Sequence, residues 1–394
     1  MIFSDSFEFT CPIKTNSGKK ALEQLPAELD ALNAKRPLVI TGKELVSKCI
    51  IKKFTKAFGD SGMTIGIFDG VTKNPDWKLI DELKKVYSEK KYDSIIALGS
   101  GVIVDVAKVL NIAVSLNVDS KKIAKDPAVK GQLKPFVIVP TATGSGLETS
   151  RFAHFQGTVF SSFYLMPALI IIDPRMTRAE SKEDMAAAAL ASFARSVEAY
   201  IAKSKNPLTD AYAYAAIGFV AGNLATAVKK PCNKKSSLAI ANAVAMSGTT
   251  MSNTAAGLIS NLGQALVEMF RLPYGIGMGI CLPHILAYYQ KKGGYNIASL
   301  LLPLAGPDQF AATPDSSKAD KALAIVGGMI KELYETVGNK IPKTLKAAGV
   351  PQYMLADILE KLSLADDAAF DKEGYLTVIE SAWEGKPVAS AGKE

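Results

Sequence analysis

Histidine is nearly absent: the 394 residues carry two, His154 and His284. No three-histidine metal site can be assembled from them. Cysteine is sparse as well. Cys11, Cys49, Cys232 and Cys281 lie far apart with no Cys-x-x-Cys spacing, which excludes a zinc ribbon or a dithiol redox motif and fits reduced thiols. The amino terminus lacks a basic stretch followed by an apolar run, so no secretory signal is expected. The apolar runs around 165–172 and 278–289 are short and each holds a proline, so neither reads as a membrane span. A cytoplasmic protein without membrane association is the expectation. No repeat and no low-complexity block is visible, and only 389–394 reads as a frayed end.

Charge of one sign is also not concentrated. The 46 basic and 38 acidic residues leave a net +8, with the lysines scattered along the chain. No cluster of basic and aromatic residues marks a nucleic-acid surface, so a solvated exterior is expected and nucleic acid is not an expected partner. What is abundant is apolar material, 48% of residues against 21% charged. That composition excludes a disordered chain, and the length exceeds what one compact core supports.

The first half alternates Ile- and Val-rich runs with amphipathic stretches. Strands are expected at 37–41, 64–68, 94–98, 136–139 and 168–172, and helices at 44–61, 76–90 and 102–114. Such alternation is the pattern of a parallel sheet covered by helices, whose ligands bind beyond the carboxyl ends of the strands. After Asp173-Pro174 the texture changes to alanine-rich helical segments at 181–203, 207–227, 235–251 and 320–340. The expected division is an α/β nucleotide-binding domain at 1–178 and an all-helical domain at 179–394. Ser181 with Asp184 resembles a capping box at the start of the second.

Two glycine turns carry the chemistry. Gly99-Ser100-Gly101-Val102 joins a strand to a helix, where backbone amides at a helix start can hold a phosphate. Pro140-Thr141-Ala142-Thr143-Gly144-Ser145-Gly146 follows another strand and concentrates hydroxyls suited to phosphate, ribose or nicotinamide. Each turn alone is equally consistent with tight packing, but two at neighbouring strand ends describe one cleft.

With these residues in place, the chain resembles the iron-type (group III) alcohol dehydrogenases. Their first loop reads Gly-Gly-Gly-Ser-x-x-Asp-x-x-Lys, matched here at Gly99, Gly101, Asp105 and Lys108. Their second reads Pro-Thr-x-x-Gly-Thr-Gly-Ser-Glu, matched at Pro140, Thr141, Gly144, Gly146 and Glu148. Asn74-Pro75, Ile172-Asp173-Pro174, Glu198-Ala199-Tyr200 and Leu282-Pro283-His284 follow in the same order. The resemblance implies the dehydroquinate synthase-like architecture: a nucleotide-binding parallel sheet with flanking helices, then an all-helical domain, with the active-site cleft between them. It further implies a cofactor site comprising Gly42, Lys43, Asn74, Gly99, Ser100, Gly101, Val102, Asp105, Thr141, Ala142 and Ser145. Gly42-Lys43 stands where NAD-preferring relatives often carry an aspartate, so NADP is expected over NAD. Lys43 suits a 2′-phosphate.

The departures are specific. Ser100 and Val102 replace a glycine and a serine of the first loop, and Ser145 and Leu147 a threonine and a serine of the second. No Lys or Arg lies between Arg151 and Arg175, where the family has a lysine. By the same resemblance the family's metal ligands fall at Ala191, Arg195, Ser260 and Tyr274, and its relay histidine at Gln264. That set cannot hold a divalent ion, so no metal is expected. Arg195 suits polarising a substrate carbonyl, Tyr274 donating a proton, and Gln264 standing in for the relay. Arg195 equally suits pairing with Glu198, and Tyr274 packing. His284 reads as a packing residue, and His154 as a neighbour of the second loop.

The expected activity is thus an NAD(P)-dependent oxidoreductase acting on a small alcohol or aldehyde without metal. The competing expectation is a catalytically inactive family member that binds a nucleotide or small anion as a binding or scaffolding protein. The extended start at 3–14 reads as an edge strand needing a partner, which points to a homodimer.

Overall fold

A computed structural model describes residues 6–47, 50–177, 181–203, 205–362 and 371–386. The chain forms two compact units: Thr10–Glu180, and Ser181–Glu394 together with Met1–Phe9.

The first unit is built on a six-stranded parallel sheet whose strands run, from one edge to the other, Lys14–Ser17, Leu169–Ile172, Phe136–Val139, Ser94–Leu98, Pro37–Ile40 and Gly66–Phe68. The strands are β1 (Lys14–Ser17), β2 (Pro37–Ile40), β3 (Gly66–Phe68), β4 (Ser94–Leu98), β5 (Phe136–Val139) and β8 (Leu169–Ile172). β2, β4, β5 and β8 are buried along their whole length, whereas β1 and β3 at the two edges are not. Burial on both faces explains why these strands read as continuous apolar runs and were legible in the sequence. Helices α1 (Leu25–Ala31), α2 (Lys43–Ser47), α3 (Ile50–Lys56), α4 (Trp77–Glu89), α5 (Val102–Ser115) and α6 (Ser120–Lys125) connect or cover them. The expected helix at 44–61 is thus two shorter ones, with 48–49 outside the described residues.

Two features were not anticipated. Of the expected strand at 3–14, residues 3–5 lie outside the described residues and 6–13 form no strand; the strand found runs over Lys14–Ser17, paired in parallel with β8. Phe9 instead packs against Tyr212, the ring centroids 5.7 Å apart and the rings tilted by 35°, within the second unit. A hairpin of β6 (Phe152–Phe155) and β7 (Thr158–Ser161) also follows the second glycine turn. Its turn residues Gln156 and Gly157 have φ of 50° and 76°, the pair of positive angles that a two-residue hairpin turn needs.

The second unit centres on α7 (Lys182–Ile201), whose described burial leaves almost no exposed face from Met185 onward. α7 packs against α8 (Pro207–Lys229), α9 (Lys234–Asn253) and α11 (Tyr274–Lys292), and α10 (Leu258–Phe270) lies against α11. The start of α7 carries the N-cap half of the expected capping box: the Ser181 hydroxyl accepts from the Asp184 N–H at 3.0 Å, but the Asp184 carboxylate accepts from that same hydroxyl and not from the Ser181 N–H. Alanines on α7 and glycines on α11 permit close approach: a Cβ at Gly275 would lie 1.8 Å from the Ala187 carbonyl. α8 is the one helix among the described residues long and apolar enough to cross a membrane. Here Ala213, Ala216, Ile217, Val220, Leu224 and Ala227 form its buried face.

Candidate functional site

In the sheet order, β2 leads outward to β3, and the chain then returns to place β4 on the other side of β2. The crevice beyond the carboxyl ends of β2 and β4 is therefore the switch point at which such sheets bind ligands. A side-chain bond fixes its floor: the Thr41 hydroxyl donates to the Leu98 carbonyl at 2.8 Å. Gly42 follows β2 and pairs with Gly70 in an isolated bridge, with Val71 carbonyl oxygen 3.1 Å from where a Cβ would stand. Lys43 and Asn74 are exposed.

After β4, Gly101 caps α5 with φ 56° and ψ −121°, a conformation that favours glycine. No side chain caps that helix start. The Ile103 and Val104 amides already donate to the Ser100 and Gly101 carbonyls, at 3.4 and 2.9 Å, so the Gly101 and Val102 N–H groups and the positive end of the helix dipole are what this turn offers a ligand. The Ser100 hydroxyl is buried beside it with no hydrogen-bond partner in the protein. A buried hydroxyl in that state costs free energy unless a ligand completes it. Val102 is 38% exposed, so its isopropyl group faces solvent where the family has a serine hydroxyl.

The second turn is ordered by its own glutamate and by α5. The Glu148 carboxylate accepts from the Ser145 N–H at 3.1 Å and packs on Gly144. Thr141 and Thr143 are buried, and Ala142 and Ser145 are partly exposed. Lys108 is wholly buried, and its ammonium donates to the carbonyls of Leu147, Ser150 and Phe152, each at 2.7 Å. Asp105, one turn before it, accepts from the His154 N–H at 2.9 Å. Burial pushes Asp105 well above its ordinary value, against the His154 N–H and Lys108. Burial pulls Lys108 down, against Asp105 and Glu148. Neither residue of the expected cofactor set and its motif lies on an open surface. The His154 side chain is exposed on the hairpin.

The helical unit brings together the residues placed at the family's metal position. The Arg195 guanidinium lies 4.5 Å from the centroid of the Tyr274 ring, a cation–π contact. The Tyr274 hydroxyl donates to the Ser260 carbonyl at 3.3 Å. The Ser260 hydroxyl donates in turn to Glu198, which also accepts from the Ile259 N–H at 2.7 Å and the Ser260 N–H at 3.2 Å. Glu198 thus caps α10 from another helix, in place of the Gly257 N-cap, which offers no side chain. A Cβ at Gly257 would stand 2.7 Å from that carboxylate. Burial pushes Glu198 up, opposed by these donors. Arg195, Glu198 and Ser260 line a small pocket with Thr254, Ala256 and Met251.

Ala191 sits beside Gly275 on the same face. Gln264 turns away, its amide donating to Glu268 at 2.8 Å on its own helix. His284 is half-buried on α11, and burial lowers its affinity for a proton. A divalent ion does not fit this cluster. Serine supplies a hydroxyl already bonded to Glu198, alanine supplies nothing, and the arginine brings like charge. Among the described residues no group of three or more His, Cys, Asp or Glu is gathered anywhere.

Glu198 in this role, Lys108 as a donor to the second turn, and the bracing hairpin were all missed by reasoning from sequence. Only the hairpin left a local signal, Gln156-Gly157 between two alternating runs.

Comparisons with known proteins agree along the chain. The family described as "Iron-containing alcohol dehydrogenase" matches residues 12–174, and "Fe-containing alcohol dehydrogenase family, C-terminal" matches 185–382. A 1,3-propanediol dehydrogenase of Klebsiella pneumoniae is 27% identical over 374 residues, covering 92% of this chain and 94% of that protein. The lactaldehyde reductase of Escherichia coli is 26% identical over 280 residues, 69% of this chain and 72% of that one. Among solved structures, a 1,3-propanediol oxidoreductase superposes with a TM-score of 0.85 at 24% identity, covering 96% of this chain and all of that one. A sulfoacetaldehyde reductase from Bifidobacterium kashiwanohense, solved with NAD+, gives 0.80 at 18%, covering 98% and 100%.

Proposed function

The chain belongs to the iron-containing alcohol dehydrogenase family, and from that premise we propose that it interconverts a small alcohol and its aldehyde with NADP, or less favourably NAD, and without a resident metal. The observation that carries the nucleotide is the α5 start: an uncapped helix terminus behind Gly101, at the switch point, with the unpartnered Ser100 hydroxyl beside it. When bound, the nicotinamide supplies or accepts the hydride.

The chain's own residues divide the remaining work. The Gly101 and Val102 N–H groups at the start of α5 hold the pyrophosphate, and Ser100 adds one hydrogen bond to it. The preference for NADP rests on Gly42-Lys43, where no carboxylate repels a 2′-phosphate and the exposed Lys43 is available to pair with it. In the helical unit the fixed charge of Arg195 polarises the carbonyl oxygen. The Tyr274 hydroxyl, held by the Ser260 carbonyl with its ring against the guanidinium, delivers the proton to that oxygen in the reducing direction. Gln264 has no part in this arrangement as its amide is oriented. Self-association into a dimer belongs to the same proposal. It is supported by β1 as an edge strand, whose outer hydrogen-bonding groups invite pairing.

The test follows reduced nucleotide consumption with a panel of small aldehydes, with and without EDTA, beside elemental analysis. Turnover indifferent to chelator, faster with NADPH than NADH, is expected. Close to one metal per chain with activity abolished by EDTA would overturn the assignment, and a monomeric mass in light scattering would overturn the dimer.

A further inference from the structure

Lys108 belongs to a motif read as part of a cofactor loop, yet its side chain points into the protein. Its three N–H groups meet three carbonyls, two from the turn at Leu147 and Ser150 and one from β6 at Phe152. An ammonium has three donors and a neutral amine only two, so this geometry describes the protonated form. Asp105, three residues earlier on the same face of α5, grips the next strand residue but one through the His154 N–H. The hairpin so held is braced at its other end, where Gln156 donates to the Pro75 carbonyl at 2.6 Å and Phe155 meets Trp77 edge-on at 4.8 Å. The second glycine turn, with Gly144 at φ 103° and Gly146 at φ 84°, is therefore held in shape by the helix that begins at the first.

We propose that Lys108 is a latch between the two glycine turns: a positioning residue that assembles the second half of the nucleotide cradle without touching the nucleotide. This rests on the nucleotide-binding function proposed above. The turn directs the Leu147 and Ser150 carbonyls inward to the buried charge, while Ala142, Gly144 and Ser145 keep a partly exposed edge. Asp105 and Glu148 are the charged groups that share its surroundings. Loss of the latch should act on the part of the ligand that meets the second turn and spare the part held by the α5 amides.

Lys108→Met and Lys108→Arg are compared with the unaltered full chain. Hydrogen exchange over 144–155 in the nucleotide-free protein reads the latch directly, and calorimetry reads the binding of NADP and of ADP, which lacks the nicotinamide. Lys108→Met should raise exchange over 144–155 about tenfold or more while β2 stays protected. It should weaken NADP about tenfold and ADP less than about threefold. Unchanged exchange in that segment overturns the latch, as does equal weakening of the two nucleotides. If the unaltered chain binds neither nucleotide, the proposed function fails while the exchange experiment still decides the latch. Should Lys108→Met not fold, Lys108→Arg decides: a planar guanidinium cannot offer three converging donors from one nitrogen. Intermediate exchange and an intermediate loss of NADP are then expected, and an arginine variant matching the unaltered chain in both overturns the latch.

Discussion

The glycine turns of the α/β unit and the Arg195–Tyr274–Ser260–Glu198 cluster of the helical unit have both diverged from the family pattern, with opposite results. At the turns, Ser100, Val102, Ser145 and Leu147 are all departures. The features that would bind phosphate survive nonetheless, because they are backbone amides, a helix terminus and glycine angles. In the helical unit the residues that the resemblance places at the metal position are side chains, and Arg195, Tyr274 and Ser260 contact one another there. A site written in backbone tolerates substitution; a site written in side chains changes its chemistry.

The sharpest test of that contrast is Arg195→Ala. If the fixed charge has taken over polarising the carbonyl, turnover should fall on the order of 10²-fold or more with little change in nucleotide affinity, as steady-state kinetics would show. Unchanged kcat would reduce Arg195 to a filler packed on Tyr274.

Glu198→Ala comes next and is read in stability. It leaves two buried amides and the Ser260 hydroxyl without their acceptor, so a loss of about 3 kcal/mol in denaturant unfolding is expected, with Glu198→Gln recovering part of it. An alanine variant as stable as the unaltered chain would show that the α10 start does not depend on this carboxylate.

Gly101→Val probes the other side of the contrast. A side chain in that conformation costs about 1–3 kcal/mol, so nucleotide binding should weaken roughly 5- to 100-fold, whereas Val102→Ser, which restores a hydroxyl, should tighten it slightly. Titration calorimetry on both variants checks the order.

The smallest effect concerns the edge of the sheet. Arg175 donates to Asp173 and to Glu23. Burial alone would raise Asp173, but the Arg175 side chain and the N–H groups of Arg175 and Leu22 outweigh it and hold the carboxyl below its ordinary 3.8. The Arg175 hydrogen bond likewise holds Glu23 below 4.5. For carboxyls lowered in this way the stabilisation is present above the ordinary values and is lost as pH falls beneath them. Arg175→Met should therefore cost about 1 kcal/mol near neutrality and progressively less below about pH 4. Equal losses at pH 7 and pH 3 would refute the linkage.

The interior strands were legible because burial on both faces leaves an unbroken apolar run, as in Leu169–Ile172. The short edge strand β1 was not, since Lys14–Ser17 is polar and its only sequence signal is the partner it finds in β8. The glycine turns were visible by position. The bonds that shape the second turn were invisible, because Lys108 looks like any helix lysine until the fold removes it from water. The landmarks place the family's metal position at Ala191, Arg195, Ser260 and Tyr274, and in the structure Arg195, Tyr274 and Ser260 lie in one cluster. Gln264 was placed with them by register alone, and its rotamer follows Glu268 one turn along α10. Glu198 was read as a landmark and as a partner for Arg195 but not as a cap, because capping a helix from outside leaves no mark in local spacing.

The contact of Phe9 with Tyr212 has a consequence for synthesis. The α/β unit is, in chain order, an insertion near the start of the helical one. A ribosome releases Phe9 first, yet its aromatic partner emerges only after the whole sheet has been made. An aromatic side chain must therefore wait through the folding of an entire neighbouring unit, and a fragment beginning at Ser181 would be born without the ring that covers Tyr212.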